Sequence, residues 1–312
     1  MGNRKVIVSV VQATPHFFNN DKSLTKMRSL LSQCANEGSK LVLFPESFLP
    51  GYPRGMTFGA TVGSRSEAGR ELWKKYWENS LTVGDEYYMQ LSSLAKEFDL
   101  FLIVGITERA TTSRSLYCSL LYFDRTGNLI GKHRKIKPTG TERVIWAEGS
   151  GESLITYSTT CGRLGGLICW ENLMPEARLA LYRSGLDIYL APTADARNSW
   201  SASMQHISCE GRCFVLSANQ YFSKSDYTAE WRPYLDADLS EDICRGGSLI
   251  VSPYGEILAG PLFDAEGILT VEIDLDEIIR SRMDFDPIGH YTRPDLFEFN
   301  LKKGKHRYAR TK

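Results

Sequence analysis

No run in this 312-residue chain approaches the roughly eighteen consecutive apolar residues of a membrane helix, so no membrane partner is expected. Net charge is also missing. The 37 Lys and Arg balance 37 Asp and Glu, leaving no overall field to draw the chain to nucleic acid or an acidic surface. Histidine is scarce, with five residues. The seven cysteines, at 34, 118, 161, 169, 209, 213 and 244, are odd in number and irregular in spacing, which excludes a disulfide scaffold. No His or Cys pair has finger-like spacing, so no metal is expected, and Cys209 and Cys213 are read as core residues of a helix. The opening MGNRKVIVSVVQATP holds only about six apolar residues before Gln12, too few for a signal peptide, so a cytoplasmic location is expected.

What is present is a globular composition, 42% apolar and 24% charged. Lys5 to Gln12 reads as a β-branched strand. Asp21 to Glu37 reads as an amphipathic helix with Leu24, Met27, Leu30, Leu31 and Cys34 on one stripe, and Leu41 to Phe44 as a second strand. Such a βαβ unit argues for parallel pairing. Helices are expected at Ser66 to Asn79, Glu86 to Phe98, Trp200 to Arg212 and Asp276 to Met283. Strands are expected at Phe101 to Thr107, Leu116 to Asp124, Leu129 to Lys132, Leu186 to Ala191, Cys213 to Asn219, Ser248 to Ser252, Ile257 to Ala259 and Leu269 to Ile273, with a long polar loop from Phe222 to Cys244. No linker divides the chain. The pattern is α/β, one domain of two facing sheets with helices outside, spanning 1–283, followed by a C-terminal arm at 284–312 that ends in a basic, solvated tail.

Three stretches carry chemistry. Arg163 to Gly185 opens with an apolar run ending at Ile168, delivers Cys169, and continues through Trp170-Glu171-Asn172 to Pro175 and a helix stopped by Gly185. A cysteine on a strand-to-helix turn near helix N–H groups is expected to favour the thiolate, the nucleophilic form. FPES places Glu46 at the C-terminal end of a buried strand, where open α/β sheets carry their chemistry. Tyr52 and Phe58 follow as pocket walls. The basic segment His133 to Thr139 contains Lys135, with Glu142 and Trp146 shortly after. Each has an ordinary reading on its own, as core thiol, surface acid or solvated charge run; their combination does not.

FPES, KHRKIKPT and GLICWENLMPE in this order and spacing resemble the nitrilase superfamily of carbon–nitrogen hydrolases, most closely its true nitrilase branch. The similarity runs from VVQATP to HYTRPD at 290–295 and is also carried by LVLFPESFLPGYPRG, LIGKHRK, ERVIW and APTAD. It implies a four-layer αββα sandwich. It implies Cys169 as nucleophile, Glu46 as general base, Lys135 as charge stabiliser and proton donor, and Glu142 as the group that positions the lysine. Lys135 and the backbone N–H of Trp170 would bind the developing negative charge. Tyr52, Trp146 and Trp170 are candidate pocket walls, with Thr193 and Ala194 on the far side. The implied reaction is cofactor-free hydrolysis of a small-molecule nitrile to acid and ammonia; the alternative is an aliphatic amidase or N-carbamoyl amine hydrolase using the same triad. A homodimer or larger homo-oligomer is implied, with the C-terminal arm at an interface. Where many relatives have KLMPT and WGQGDG, this chain has KIKPT and WAEGSG, so Ala147, Glu148 and Ser150 are substitutions and Lys137 is expected near the pocket mouth.

Overall fold

The computed structural model describes residues 4–302; the basic tail from residue 303 onward lies outside them. The first half of the chain builds one sheet. β1 (Lys5–Gln12) leads through α1 (Asn20–Asn36) to β2 (Leu41–Leu43), which pairs with β1 in parallel, as a βαβ unit should. A short hairpin of β3 (Ala60–Thr61) and β4 (Ser64–Arg65) precedes α2 (Glu67–Asn79) and α3 (Glu86–Glu97). Side chains of Asn19, Ser66 and Asp85 accept backbone N–H groups at the starts of α1, α2 and α3, satisfying donors that a helix start leaves free. β5 (Phe101–Arg109) adds in parallel to β2, and β6 (Leu116–Phe123) and β7 (Leu129–Arg134) follow antiparallel.

The second half builds the other sheet from β8 (Tyr157–Thr159), β9 (Gly162–Gly166), β10 (Ile188–Leu190), β11 (Phe214–Ser217), β12 (Tyr221–Ser223), β13 (Asp242–Val251) and β14 (Ile257–Phe263). Helices α4 (Pro175–Arg183) and α5 (Ser199–Gly211) link β9, β10 and β11, which run parallel. β15 (Gly267–Asp274) then crosses back to pair antiparallel with β1, and α6 (Asp276–Ser281) follows. The sheets order as β15-β1-β2-β5-β6-β7 and β12-β13-β11-β10-β9-β8. The region expected as one polar loop instead holds β12 and the start of β13, whose pairing follows from long-range register rather than from apolar pattern.

Strand alternation sorts the core into layers. Val8, Val10, Leu41, Leu43, Phe101 and Ile103 face Leu164, Ile188, Leu190, Phe214 and Leu216 of the other sheet. Their neighbours Val42, Leu102 and Val104 face Leu24, Met27 and Leu31 of α1 and Leu91 and Leu94 of α3. On the far side Tyr189, Val215 and Leu249 face Ala180 and Leu181 of α4 and Met204 and Ile207 of α5. The result is the four-layer αββα sandwich. Strands covered on both faces are apolar at most positions, which is why they read as near-continuous runs, with buried polar residues such as Ser9 and Thr107 hydrogen-bonded inside. Each buried aliphatic side chain contributes about 1.5–3 kcal/mol. Past α6, residues 284–302 lie back on the helical face of their own chain, where Ile288, Phe299 and Leu301 pack against the α4–α5 layer.

Candidate active site

Glu46 lies three residues beyond β2 and is fully buried. Ser47, next to it, takes the left-handed conformation with φ 45°, so the chain turns sharply there. Gly105 of β5 makes the turn possible: a Cβ there would sit 2.2 Å from the Pro45 carbonyl oxygen and 2.8 Å from Glu46 Cα. From the second sheet's side, Gln220 Nε2 donates to the Glu46 carbonyl at 2.7 Å.

The basic run around Lys135 is sorted by the pleat of β7. Lys132 and Arg134 point one way and share Glu108, at 2.6 Å each, while His133 and Lys135 point inward and are buried. Lys135 Nζ donates to Glu46 Oε1 at 2.7 Å and to Glu142 Oε2 at 2.8 Å. Glu142 is held by Tyr52 Oη–H at 2.7 Å and by the Thr139 N–H at 2.6 Å. Burial pushes Glu46 above the ordinary glutamate range, and the Lys135 charge counteracts this only in part. Burial alone would lower Lys135, but Glu46, the Cys169 sulfur and Glu142 outweigh it and hold the ammonium form far into the basic range. The centre is thus a cation clamped between two carboxylates.

Cys169 arrives from the other sheet. Gly166, the last residue of β9, lies against Leu190 of β10, where an added Cβ would be 2.4 Å from the Leu190 carbonyl oxygen. The Cys169 N–H donates to the Pro192 carbonyl at 2.9 Å, and the residue itself has φ 52°, a strained value for a side-chain-bearing residue. Thr193 Oγ1 donates to Sγ at 3.2 Å. A 3₁₀ turn, Cys169–Leu173, separates the thiol from α4, which begins only at Pro175. The expectation that a helix start favours the thiolate is therefore overturned. Burial pushes the thiol well up, Glu46 and Glu142 push it further, and Lys135 and Thr193 oppose them. Burial and the two carboxylates thus favour the thiol over the thiolate beside the Lys135 clamp. The Trp170 N–H opens the 3₁₀ turn, a position with no intrahelical acceptor.

Two adjoining cavities share Tyr52, Arg54, Thr141 and Glu142. One, of about 410 Å³, contains Cys169, Trp170, Ala194, Asp195 and Arg197. The other, of about 500 Å³, is more apolar, with Met56, Phe58, Ile145, Trp146 and Leu239. Tyr52 therefore spans both, while Trp146 belongs to the second and stacks edge-on against Tyr52 at 5.6 Å. Trp170 is a rim residue, its Nε1–H donating to Asp195 at 2.9 Å. Thr193 is fully buried behind the sulfur. Lys137 does not line either cavity: it pairs with Glu148, so two of the positions that depart from the common pattern meet each other at the surface. Cys213 is a core residue as expected, but Cys209 is only half-buried because α5 turns that face outward. Among the described residues no three His, Cys, Asp or Glu side chains are grouped to hold a metal, and no helix is long and apolar enough to cross a membrane.

Sequence reasoning missed Gly105, Gln220 and Cys118, whose Sγ donates to Glu46 Oε1 at 3.5 Å. None carries a local signal, because each meets Glu46 only through the tertiary fold. It also left Glu171 and His133 unassigned, although both lie inside the motifs that were read.

The carbon–nitrogen hydrolase family model matches residues 7–283. A bifunctional nitrilase/nitrile hydratase of Nicotiana tabacum is 44% identical over 301 residues, covering 95% of this chain and 86% of that one. A nitrilase of Bradyrhizobium diazoefficiens is 43% identical, covering 93% and 90%. The crystal structure of a carbon–nitrogen hydrolase from Helicobacter pylori G27 superposes with a TM-score of 0.74 at 21% identity, over 94% of this chain and 97% of that one, and so shows the shared fold. The chain belongs to the carbon–nitrogen hydrolase family. Within it, it is a hydrolase of the nitrilase branch.

Proposed function

We propose that the protein hydrolyses an organic nitrile to a carboxylic acid and ammonia through covalent intermediates on Cys169. The observation that carries this reading is the buried Glu46–Lys135–Glu142 clamp, at 2.7 and 2.8 Å, within electrostatic reach of the thiol. Because burial favours the thiol form, Glu46 takes its proton as sulfur attacks the nitrile carbon, and its raised basicity suits that task. The C–S bond forms, one C–N π bond breaks, and the nitrogen takes up the thiol proton, relayed from Glu46 through Lys135, to give a thioimidate and return Glu46 to its base form. Lys135 Nζ and the Trp170 N–H are the donors for the charge that develops there. Glu46 then deprotonates a water that adds to the same carbon, giving a tetrahedral intermediate. Breaking its C–N bond expels ammonia and leaves a thioester, which a second water cleaves to the acid. Breaking its C–S bond instead releases the amide and regenerates the thiol. The tobacco relative's description names both a nitrilase and a nitrile hydratase, which supports both exits.

Cys169, Glu46 and Lys135 act as nucleophile, base and charge stabiliser, Glu142 positions the lysine, and Tyr52, Ala194 and Trp170 bound the substrate space. The same reading carries a homo-oligomer with the arm from residue 284 near an interface, which light scattering after gel filtration measures. The deciding experiment is ammonia release with product masses on nitrile and amide panels, for wild type and Cys169→Ala. Acid and ammonia from nitriles, lost in the variant, support the reading. Turnover of amides or carbamoyl amines alone would move the protein to the amidase alternative.

A further inference from the structure

Glu171 and His133 are buried, lie outside the roles assigned above, and line neither cavity. Glu171 Oε1 accepts the Ile136 N–H at 2.5 Å, and its Oε2 accepts the Ile168 N–H at 2.7 Å. His133 Nε2 lies 2.9 Å from Oε2, and its Nδ1 faces Ser153 Oγ at 2.8 Å. Ile136 directly follows Lys135, and Ile168 directly precedes Cys169. One carboxylate thus grips the main chain beside both groups, although β7 and β9 belong to different sheets.

We propose that Glu171 is a positioning residue that sets the separation of the Lys135 ammonium from the Cys169 thiol, with His133 orienting its carboxylate, and that it thereby governs the partition between acid and amide. This rests on the thioimidate and thioester reading above. A carboxylate has two acceptor oxygens, and here each takes one backbone donor; His133 supplies a third donor. An amide of the same shape has one acceptor oxygen and one NH₂. Whichever way Glu171→Gln is turned, its NH₂ faces either the Ile136 or the Ile168 N–H, so one side of the grip is lost. The freed segment carries Lys135 or Cys169 with it, and displacements of about 1 Å cost on the order of 10²-fold in rate. The choice between C–N and C–S cleavage depends on which leaving atom the ammonium protonates, so the product ratio responds to the same displacement.

The test uses the full chain and a nitrile that wild type converts. It measures kcat per Cys169 titrated by a thiol alkylator, and the acid-to-amide ratio, for wild type, Glu171→Gln, His133→Leu and His133→Gln. The titration is made on the gel-filtered, folded fraction, because unfolded chains also expose their thiols, and the acid-to-amide ratio is independent of that fraction, so a merely structural role leaves both unchanged. The expected result is a fall of about 10- to 100-fold in kcat per thiol in Glu171→Gln, with a changed product ratio. His133→Leu should shift in the same direction by less, and His133→Gln, whose amide can again donate to Oε2, should recover towards wild type. Wild-type values of both quantities in Glu171→Gln and His133→Leu would overturn the proposal. Should Glu171→Gln fail to fold, the His133 pair decides by the same criteria. If only amides are turned over, the nitrile reading fails separately, and kcat per thiol on the amide still tests the grip.

Discussion

The two sheets make unequal contributions to the site. The first supplies charge: Glu46 from the end of β2 and Lys135 from the end of β7, joined by Glu142 from the turn beyond, all paired at 2.7–2.8 Å. The second supplies the proposed nucleophile: a buried thiol on a left-handed residue, with one hydroxyl donor at 3.2 Å. Alone, the first would be a buried ion network and the second a buried cysteine with its pKa pushed up. In the proposed mechanism reactivity depends on bringing the two together, because the proposed base and the sulfur come from different layers. Both ends share one device, a strained left-handed residue at or beside the reacting group, which aims a side chain past the end of its strand into the gap between sheets.

Removing the second sheet's contribution should have the largest effect. Cys169→Ala is expected to lower kcat by at least about 10³-fold with the fold intact, because the covalent route disappears, as steady-state ammonia release will register. Removing charge from the first sheet should act on activity and stability together. Lys135→Met leaves Glu46 and Glu142 buried without their shared cation, which costs about 3–5 kcal/mol and should appear as a clear fall in Tm beside loss of turnover. Glu46→Gln removes only the proposed base, with about 10²- to 10⁴-fold expected to be lost in kcat and a smaller change in Tm.

The comparison also sharpens with pH. In the proposed mechanism Glu46 must be ionised to accept the thiol proton, and its pKa is raised by burial, so activity should fall on the acid side with a midpoint above the ordinary glutamate value of 4.5. Glu108 contrasts with it: Lys132 and Arg134 overcome the effect of burial and depress its pKa. Its contribution to stability is therefore present above the unfolded glutamate pKa and lost as pH falls through the lower folded value. Activity should disappear at a higher pH than this contribution to folding, and a pH–rate profile beside thermal melts across the acid range will show whether it does.

Gly105→Ala tests how tightly the first sheet's turn is packed. Its Cβ would press on the Pro45–Ser47 backbone, at about 1–3 kcal/mol, and should displace Glu46 enough to lower kcat without abolishing it. The smallest change belongs to Thr193→Val, which removes the one hydroxyl donor to sulfur and should slow Cys169 alkylation at fixed pH by a few-fold, since that bond favours the thiolate.

The local sequence determined a good deal by itself. Apolar runs and helix stripes mark most strands and helices, because burial on one or both faces leaves a period that can be read. Glu46, Lys135 and Cys169 could be picked out because each lies in a recognisable motif at the end of a strand, and Glu142 because its spacing from Lys135 matches the family pattern. Only the tertiary structure decided how these groups act on one another. The thiol was misjudged from its neighbours in sequence, because a 3₁₀ turn intervenes before α4 and because burial and two carboxylates from the other sheet dominate its titration. Gly105, Gln220 and the grip of Glu171 were illegible for the same reason. Their partners lie 59, 174 and 35 residues away along the chain, and hydrogen bonds and close contacts of that span leave no trace in local pattern.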